Sequence, residues 1–206
     1  MTRDLEKMTD LELIERVKLG DKSSFSSLVI RHQRGLLRLG LRFVKDLDQA
    51  EDIVQEAFIK AYEKLSTFEG RSSFKSWLYQ IALNTARNRL RENRRETVDV
   101  EDTNLSVPAV GETMLVHTAI TDLLNKEVEK LPFRQRTALV LRVYEDLSFQ
   151  EISEIMACPY DTAKANYRHA LIKLKEVFEN REDLKTWTLE TGGFFMELTP
   201  LMEAEG

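Results

Sequence analysis

Apolar residues along this chain recur every three or four positions, and polar breaks divide the recurrence into helices. Leu11, Ile14 and Val17 follow Thr9 and Glu12, the spacing of a capping box, and Gly20 closes the run. Phe25, Leu28, Val29, His32, Leu36, Leu39 and Phe43 make the stripe of a second helix, with Ser23 or Ser24 as its expected cap. A short polar break over 46–49 follows, with Asp48 expected to cap the next helix. There Ala50, Ile53, Val54, Ala57, Phe58, Ala61, Tyr62 and Leu65 give the cleanest amphipathic signal in the chain. Its opposite face carries Glu51, Asp52, Gln55 and Glu56. A polar loop over 69–73 leads into a fourth helix whose Phe74, Trp77, Leu78, Ile81, Ala82 and Thr85 should face a core. Asn84, Arg87, Asn88, Arg91 and Arg95 fall on another face of it. Four helices in about 90 residues predict a bundle.

The periodicity stops over 96–119, where Pro108, Gly111, several serines and threonines and five acidic residues occur without a base. This reads as an extended, self-repelling linker. It is either an ordinary spacer or a negatively charged segment that imitates a nucleic-acid strand. Helical spacing resumes with Ile120, Leu123, Leu124, Val128 and Leu131. Pro132 suits the first turn of a further helix through Tyr144. Ser148 and Glu151 have capping-box spacing ahead of Ile152, Ile155 and Met156, and Ala157, Cys158 and Pro159 make a tight turn. A last helix from about Tyr160 to Glu179 turns Ala163, Tyr167, Ala170, Leu171, Leu174, Val177 and Phe178 inward. A short capped helix, a tight turn and a longer helix fit a helix-turn-helix, as does any pair of packed helices. Thr162, Lys164, Asn166, Arg168 and His169 then point outward. Beyond residue 180, Trp187, Phe194, Phe195 and Met196 surround two glycines, as a docking tail or a locally packed end. The predicted fold is all-α: two small helical domains joined by a flexible linker.

Composition agrees. Eight glycines and four prolines in 206 residues are too few for a strand-and-turn protein. One cysteine, Cys158, rules out an internal disulfide and fits a reducing compartment. It reads as a packing residue in its turn, a redox switch being the alternative. No apolar run approaches the roughly 18 residues of a membrane span. The N-terminus is not a secretory signal, so the chain reads as cytoplasmic and not inserted in a membrane.

Charge changes the picture. The formal total is −5, yet residues 66–95 hold seven basic side chains against two acidic ones. Residues 96–119 and 181–206 carry most of the acidic excess. A basic stripe on an acidic chain points to nucleic acid, or is a solvated face rich in arginine. His32 lies on an apolar stripe without other ligating side chains and reads as a core or boundary histidine. There is no phosphate-binding glycine loop, no G-x-S-x-G, no C-x-x-C and no H-E-x-x-H. No nucleophile stands with a base and no carboxylates pair, so neither catalysis nor a cofactor is expected.

Three runs carry a resemblance. Gln49–Tyr62 resembles region 2.2 of bacterial sigma factors, Phe68–Arg91 resembles regions 2.3 and 2.4, and Leu131–Lys175 resembles region 4. Their order and spacing are similar to the short extracytoplasmic-function (ECF) group of the sigma-70 family, over about residues 20–95 and 120–178. The resemblance implies an initiation factor that docks on core RNA polymerase, recognises two promoter elements and helps open the duplex. It divides the chain into domain 2 (1–95), a linker (96–119), domain 4 (120–180) and a tail of unassigned role (181–206). It implies polymerase contacts at Asp52, Gln55 and Glu56. It implies capture of a flipped base of the non-template minus-ten strand by the loop 69–73, with Arg71, Ser72 and Ser73 as partners. Lys75 falls beside that loop. Phe74 and Trp77 lie in the melting region, where periodicity reads core and stacking on unpaired bases is the alternative. Asn84, Arg87, Asn88 and Arg91 should approach the upstream duplex, the arginines on phosphates and Asn84 on a base edge. Thr162, Lys164, Asn166, Arg168 and His169 should meet the minus-thirty-five element, with Lys173 on its backbone. The linker's charge suits a channel built for RNA. A stand-alone helix-turn-helix regulator and a helical adaptor that binds only protein are the competing readings. The family also implies an anti-sigma factor as a partner, which no residue here demonstrates. One departure bears on specificity. The recognition helix of the family often begins like Gly-Thr-Val-Lys-Ser-Arg-Leu, whereas Asp161-Thr-Ala-Lys-Ala-Asn-Tyr167 stands here.

Overall fold

The Thr9 hydroxyl accepts from Glu12 N at 3.3 Å while the Glu12 carboxylate accepts from Thr9 N at 2.6 Å, and this closed capping box starts the first helix. In the computed structural model, which describes residues 5, 7–96 and 123–180, that helix is α1, Asp10–Lys18. It is followed by α2 (Lys22–Val44), α3 (Leu47–Glu63), a 3₁₀ turn (Leu65–Thr67) and α4 (Phe74–Glu96). A helical stretch over 123–130, α5, is followed by α6 (Phe133–Val143), α7 (Phe149–Ile155) and α8 (Tyr160–Glu179). The described residues contain helices and no strand, as the sequence predicts. The linker over 97–119, the tail 181–206, and the side chains of Arg94, Arg95 and Phe178 lie outside the described residues.

Helices α1 to α4 belong to one unit. Its core is made by Leu13 and Ile14 of α1, Leu28, Leu36, Leu39 and Phe43 of α2, and Ile53 and Phe58 of α3. Phe74, Leu78, Tyr79 and Leu83 of α4 complete it. Ala50, Ala57 and Ala61 put small side chains on the buried face of α3, so neighbouring helices approach closely. Tyr62, expected inside, is 42% exposed and meets the edge of the Phe25 ring at 4.9 Å.

Two caps differ from expectation. Asp21, not Ser23 or Ser24, caps α2: its carboxylate accepts from Ser23 N at 3.0 Å and from the Ser24 hydroxyl at 2.9 Å. Asp46, not Asp48, caps α3, accepting from Gln49 N at 2.8 Å. Lys45 adopts a left-handed backbone (φ 57°) that ends α2 at once, so the break is shorter than four polar residues suggest.

A second unit holds α5, α6 and α8, and α6 packs on α8. Pro132 is the residue just before α6, not its first residue. Arg136 is buried in α6; burial pushes its guanidinium down from its ordinary value and the charge of Glu129 opposes the shift. Ala163, Tyr167, Ala170, Leu171 and Leu174 are the buried side of α8, as expected, and Val177 is half-buried. Ala157 takes a left-handed backbone (φ 46°) in the turn between α7 and α8, and the half-buried Cys158 donates its N–H to Ser153 O.

Candidate nucleic-acid interface

On α4 the side chains of Asn84, Arg87, Asn88 and Arg91 are all exposed. At ~1.5 Å rise per residue this stripe extends roughly 10 Å along one face, which spans successive phosphates of a strand. Ala82, Leu83, Thr85 and Ala86 are buried behind it, so the helix cannot turn the stripe away from solvent. Arg89 departs from the stripe. It points across to α3, with its guanidinium 3.6 Å from Glu56 and 3.9 Å from Asp52.

At the start of α4, burial favours the core reading of Phe74. Phe74 is 2% exposed, with the Phe68 and His32 rings edge-on at 6.0 and 5.5 Å. It packs beneath the surface of the domain. Trp77 is half-buried, its ring tilted on Phe68 at 5.1 Å and on Phe74 at 5.9 Å. Lys75, also half-buried, lies over the Tyr79 ring at 5.3 Å.

The loop before α4 is open. Arg71 is 87% exposed and pairs with Glu69 at 2.6 Å. Gly70 adopts φ +72°, a backbone region that side chains disfavour. Ser72 is half-buried. The Ser73 hydroxyl is engaged within the protein, where it accepts from Ser76 N at 3.0 Å and donates to Ser76 Oγ, capping α4. The serine directly before the apolar run is the sequence signal for that cap, and the expectation of a base contact passed over it.

The polar face of α3 is exposed at Glu51, Asp52 and Gln55 and half-buried at Glu56, which also pairs with Lys60. Between α2 and α3 lies a cleft of ≈ 260 Å³, lined by Gln33, Arg34, Leu37, Glu51, Val54 and Gln55. The sequence reading missed the α2 side of this cleft, because Gln33 and Arg34 lie outside the α2 apolar stripe. It also missed Arg89, which it counted only as charge. In α8, Arg168, His169 and Lys173 are exposed, and Thr162, Lys164 and Asn166 are half-buried. Asn166 donates through Nδ2 to Thr162 O at 2.7 Å, so part of its donor capacity stays within the helix. Among the described residues there is no cluster of His, Cys, Asp or Glu suited to a metal, and no helix long and apolar enough to cross a membrane.

These surfaces coincide with two family matches. Residues 28–96 match Sigma-70 region 2, and residues 121–174 match Sigma-70, region 4. The RNA polymerase sigma-H factor of Pseudomonas aeruginosa is 38% identical over 172 residues, which cover 78% of this chain and 89% of that protein. The ECF RNA polymerase sigma-E factor of Escherichia coli K12 is 35% identical over 187 residues, covering 85% and 95%. Among solved structures, CnrH in complex with the cytosolic domain of CnrY shares the fold, with a TM-score of 0.62 at 21% identity over 82% of this chain and 97% of that one. The sigma factor RpoE of Bartonella quintana, solved in complex with the anti-sigma factor NepR, has a TM-score of 0.58 at 25% identity, covering 76% and 98%. With both regions matched in order and relatives aligned over most of their length, the chain belongs to the ECF group of the sigma-70 family of RNA polymerase sigma factors.

Proposed function

We propose that this promoter-specific initiation factor divides its work among four surfaces. Asp52, Gln55 and Glu56 of α3, with the adjoining cleft against α2, dock on core RNA polymerase. The loop 69–73 takes up a flipped base of the non-template minus-ten strand through Arg71 and Ser72. Ser73 holds the loop to α4, and the half-buried Trp77 stacks beside the base. Asn84, Arg87, Asn88 and Arg91 hold the duplex just upstream, with Lys75 near the fork. Thr162, Lys164, Asn166, Arg168 and His169, with Lys173 on the backbone, meet the minus-thirty-five element. The domain limits 1–95 and 120–180 follow from this division.

The observation that carries the reading is the α4 stripe. Four exposed side chains of phosphate- and base-contacting types stand on one face of a helix in a chain of net charge −5. The acidic total suits a protein brought to DNA by a larger partner. The protein supplies binding and no catalytic step, and it acts in the cytoplasm, where polymerase and promoters are. Because RpoE of Bartonella quintana is described in complex with an anti-sigma factor, a protein inhibitor that covers these same faces is proposed here too.

The test adds the purified chain to core polymerase and a promoter library and sequences the transcripts. Sequence-specific start sites that depend on the chain are expected. Intact protein that yields no transcript from any template would defeat the proposal, and specific duplex binding without polymerase would favour a stand-alone regulator.

A further inference from the structure

We infer that α1 is the scaffold of the base-capturing loop, and that Leu11, Lys18 and the Asp10–His32 pair are positioning residues for base selection in the minus-ten element. The inference rests on the assignment of loop 69–73 to base capture.

A loop that selects one base must hold one shape, since ordering it during capture would cost binding free energy. Within 69–73 the pairing of Arg71 with Glu69 is between exposed side chains, and it fixes little. Ser73 ties the end of the loop to α4, and α1 adds constraints at its entry, middle and exit. At the entry, Lys18 Nζ donates to Phe68 O at 3.3 Å. In the middle, Leu11 Cδ2 lies 3.6 Å from where a Cβ on Gly70 would stand, so its methyl covers the loop backbone at its left-handed residue. At the exit, His32 Nε2 is 2.8 Å from Asp10 Oδ2, and the His32 ring meets the edge of Phe74, the first residue of α4.

Leu11 and Lys18 are two turns apart on one face of α1. Leu13 and Ile14 supply its core contacts and are fully buried, whereas Leu11, at the start of the helix, is 56% exposed. An apolar side chain that stays largely outside the core but lies against the loop is placed to shape the loop. The helix itself is anchored by Arg31, which donates to Asp10 Oδ1 at 2.6 Å and to Met8 O at 2.7 Å. Burial pushes the Asp10 carboxyl up, and the hydrogen bonds and charges of His32 and Arg31 outweigh it, so the group stays below its ordinary value and ionised.

The test uses the full chain bound to core polymerase and a single-stranded non-template library randomised across the minus-ten element. For Leu11→Ala with Lys18→Met, base preference at the captured position is expected to flatten several-fold. Polymerase affinity and melting temperature should stay at parental values, and Lys18→Arg should retain the parental preference. Arg71→Ala with Ser72→Ala, run in parallel, tests the loop assignment itself. If the loop pair alters preference and the α1 pair does not, the inference fails and the loop assignment stands. If neither pair alters it, both fail. If the α1 pair loses polymerase binding and thermal stability together, its role is structural and the inference fails.

Discussion

Arg89 of α4 stands 3.6 Å from the Glu56 carboxylate of α3, and this single guanidinium joins the face assigned to polymerase to the helix assigned to DNA. Arg89 is 42% exposed and Glu56 36%, so solvent screens the pair and its worth to stability is under about 1 kcal/mol. Its effect is on the field of the acidic face. Arg89→Ala should leave thermal melting close to the parental curve and make polymerase binding more strongly dependent on salt, because Asp52 and Glu56 lose a neighbouring positive charge. Titration of core polymerase at two ionic strengths reads this. Equal salt dependence in variant and parent would mean that Arg89 does not tune that face.

Arg87→Ala with Arg91→Ala should weaken open-complex formation and spare polymerase binding, since both side chains are exposed and neither supports the core. Each lost phosphate contact should lower the slope of log affinity against log salt by ~0.9. A loss of polymerase binding would reassign the stripe to the protein partner.

The outline of the fold was legible because periodicity reports burial. The inward stripes of α2, α3 and α8 are buried or half-buried wherever their side chains are described, except at Tyr62, which is exposed near the end of its helix. Caps were legible only where the chain offered one candidate. Thr9 had a matching Glu12, but Asp21 stood next to Ser23 and Ser24, and its carboxylate accepts from both hydroxyls. The exposed stripe of α4 followed from helical spacing alone. What did not follow was any contact between residues distant in sequence: Arg89 with Glu56, Lys18 with the Phe68 carbonyl, Asp10 with His32. Spacing fixes the face of a helix and leaves open which helix lies against it.

Stability should fall on mild acidification, in part through Asp21. Hydrogen bonds from the Ser23 and Ser24 hydroxyls, with the Arg16 guanidinium, hold its carboxyl well below the ordinary 3.8. A depressed carboxyl contributes stability that is present above its unfolded value and is lost as pH falls towards its folded one. Asparagine also caps helices but has no carboxyl to titrate. Between pH 5 and pH 3, Asp21→Asn should therefore lose less melting temperature than the parent. Parallel melting curves across that range would count against the capping carboxylate.

In α8 the exposed Arg168 and the half-buried Asn166 should differ as promoter contacts. The Asn166 amide already donates to the Thr162 carbonyl, whereas Arg168 is free to approach DNA. Arg168→Ala should reduce transcription from promoters that depend on the minus-thirty-five element more than Asn166→Ala does. Loss of a direct base contact costs ~1–3 kcal/mol and relaxes selection at that position, while loss of a phosphate contact weakens all sequences alike. Selection from a library randomised in that element distinguishes the two. A larger effect from Asn166→Ala would show that its amide leaves the helix carbonyl on binding.

Gly35 tests the packing of α2 on α4 directly. In an exposed helix interior, alanine is better than glycine by about 1 kcal/mol. Here a Cβ on residue 35 would stand 2.8 Å from the Tyr79 hydroxyl. Tyr79 is 2% exposed and its ring is rigid, so the hydroxyl cannot swing aside without shifting the core. Overpacking of this kind costs ~1–3 kcal/mol, which exceeds the gain in propensity. Gly35→Ala should therefore destabilise the parent. In a Tyr79→Phe background the nearest ring carbon would be 3.9 Å away, an ordinary contact, and the same substitution should become neutral or stabilising. A cycle of four denaturant melts measures the reversal. A stabilising Gly35→Ala in the parent, or an equal cost in both backgrounds, would show that the Tyr79 hydroxyl does not set the spacing of these helices.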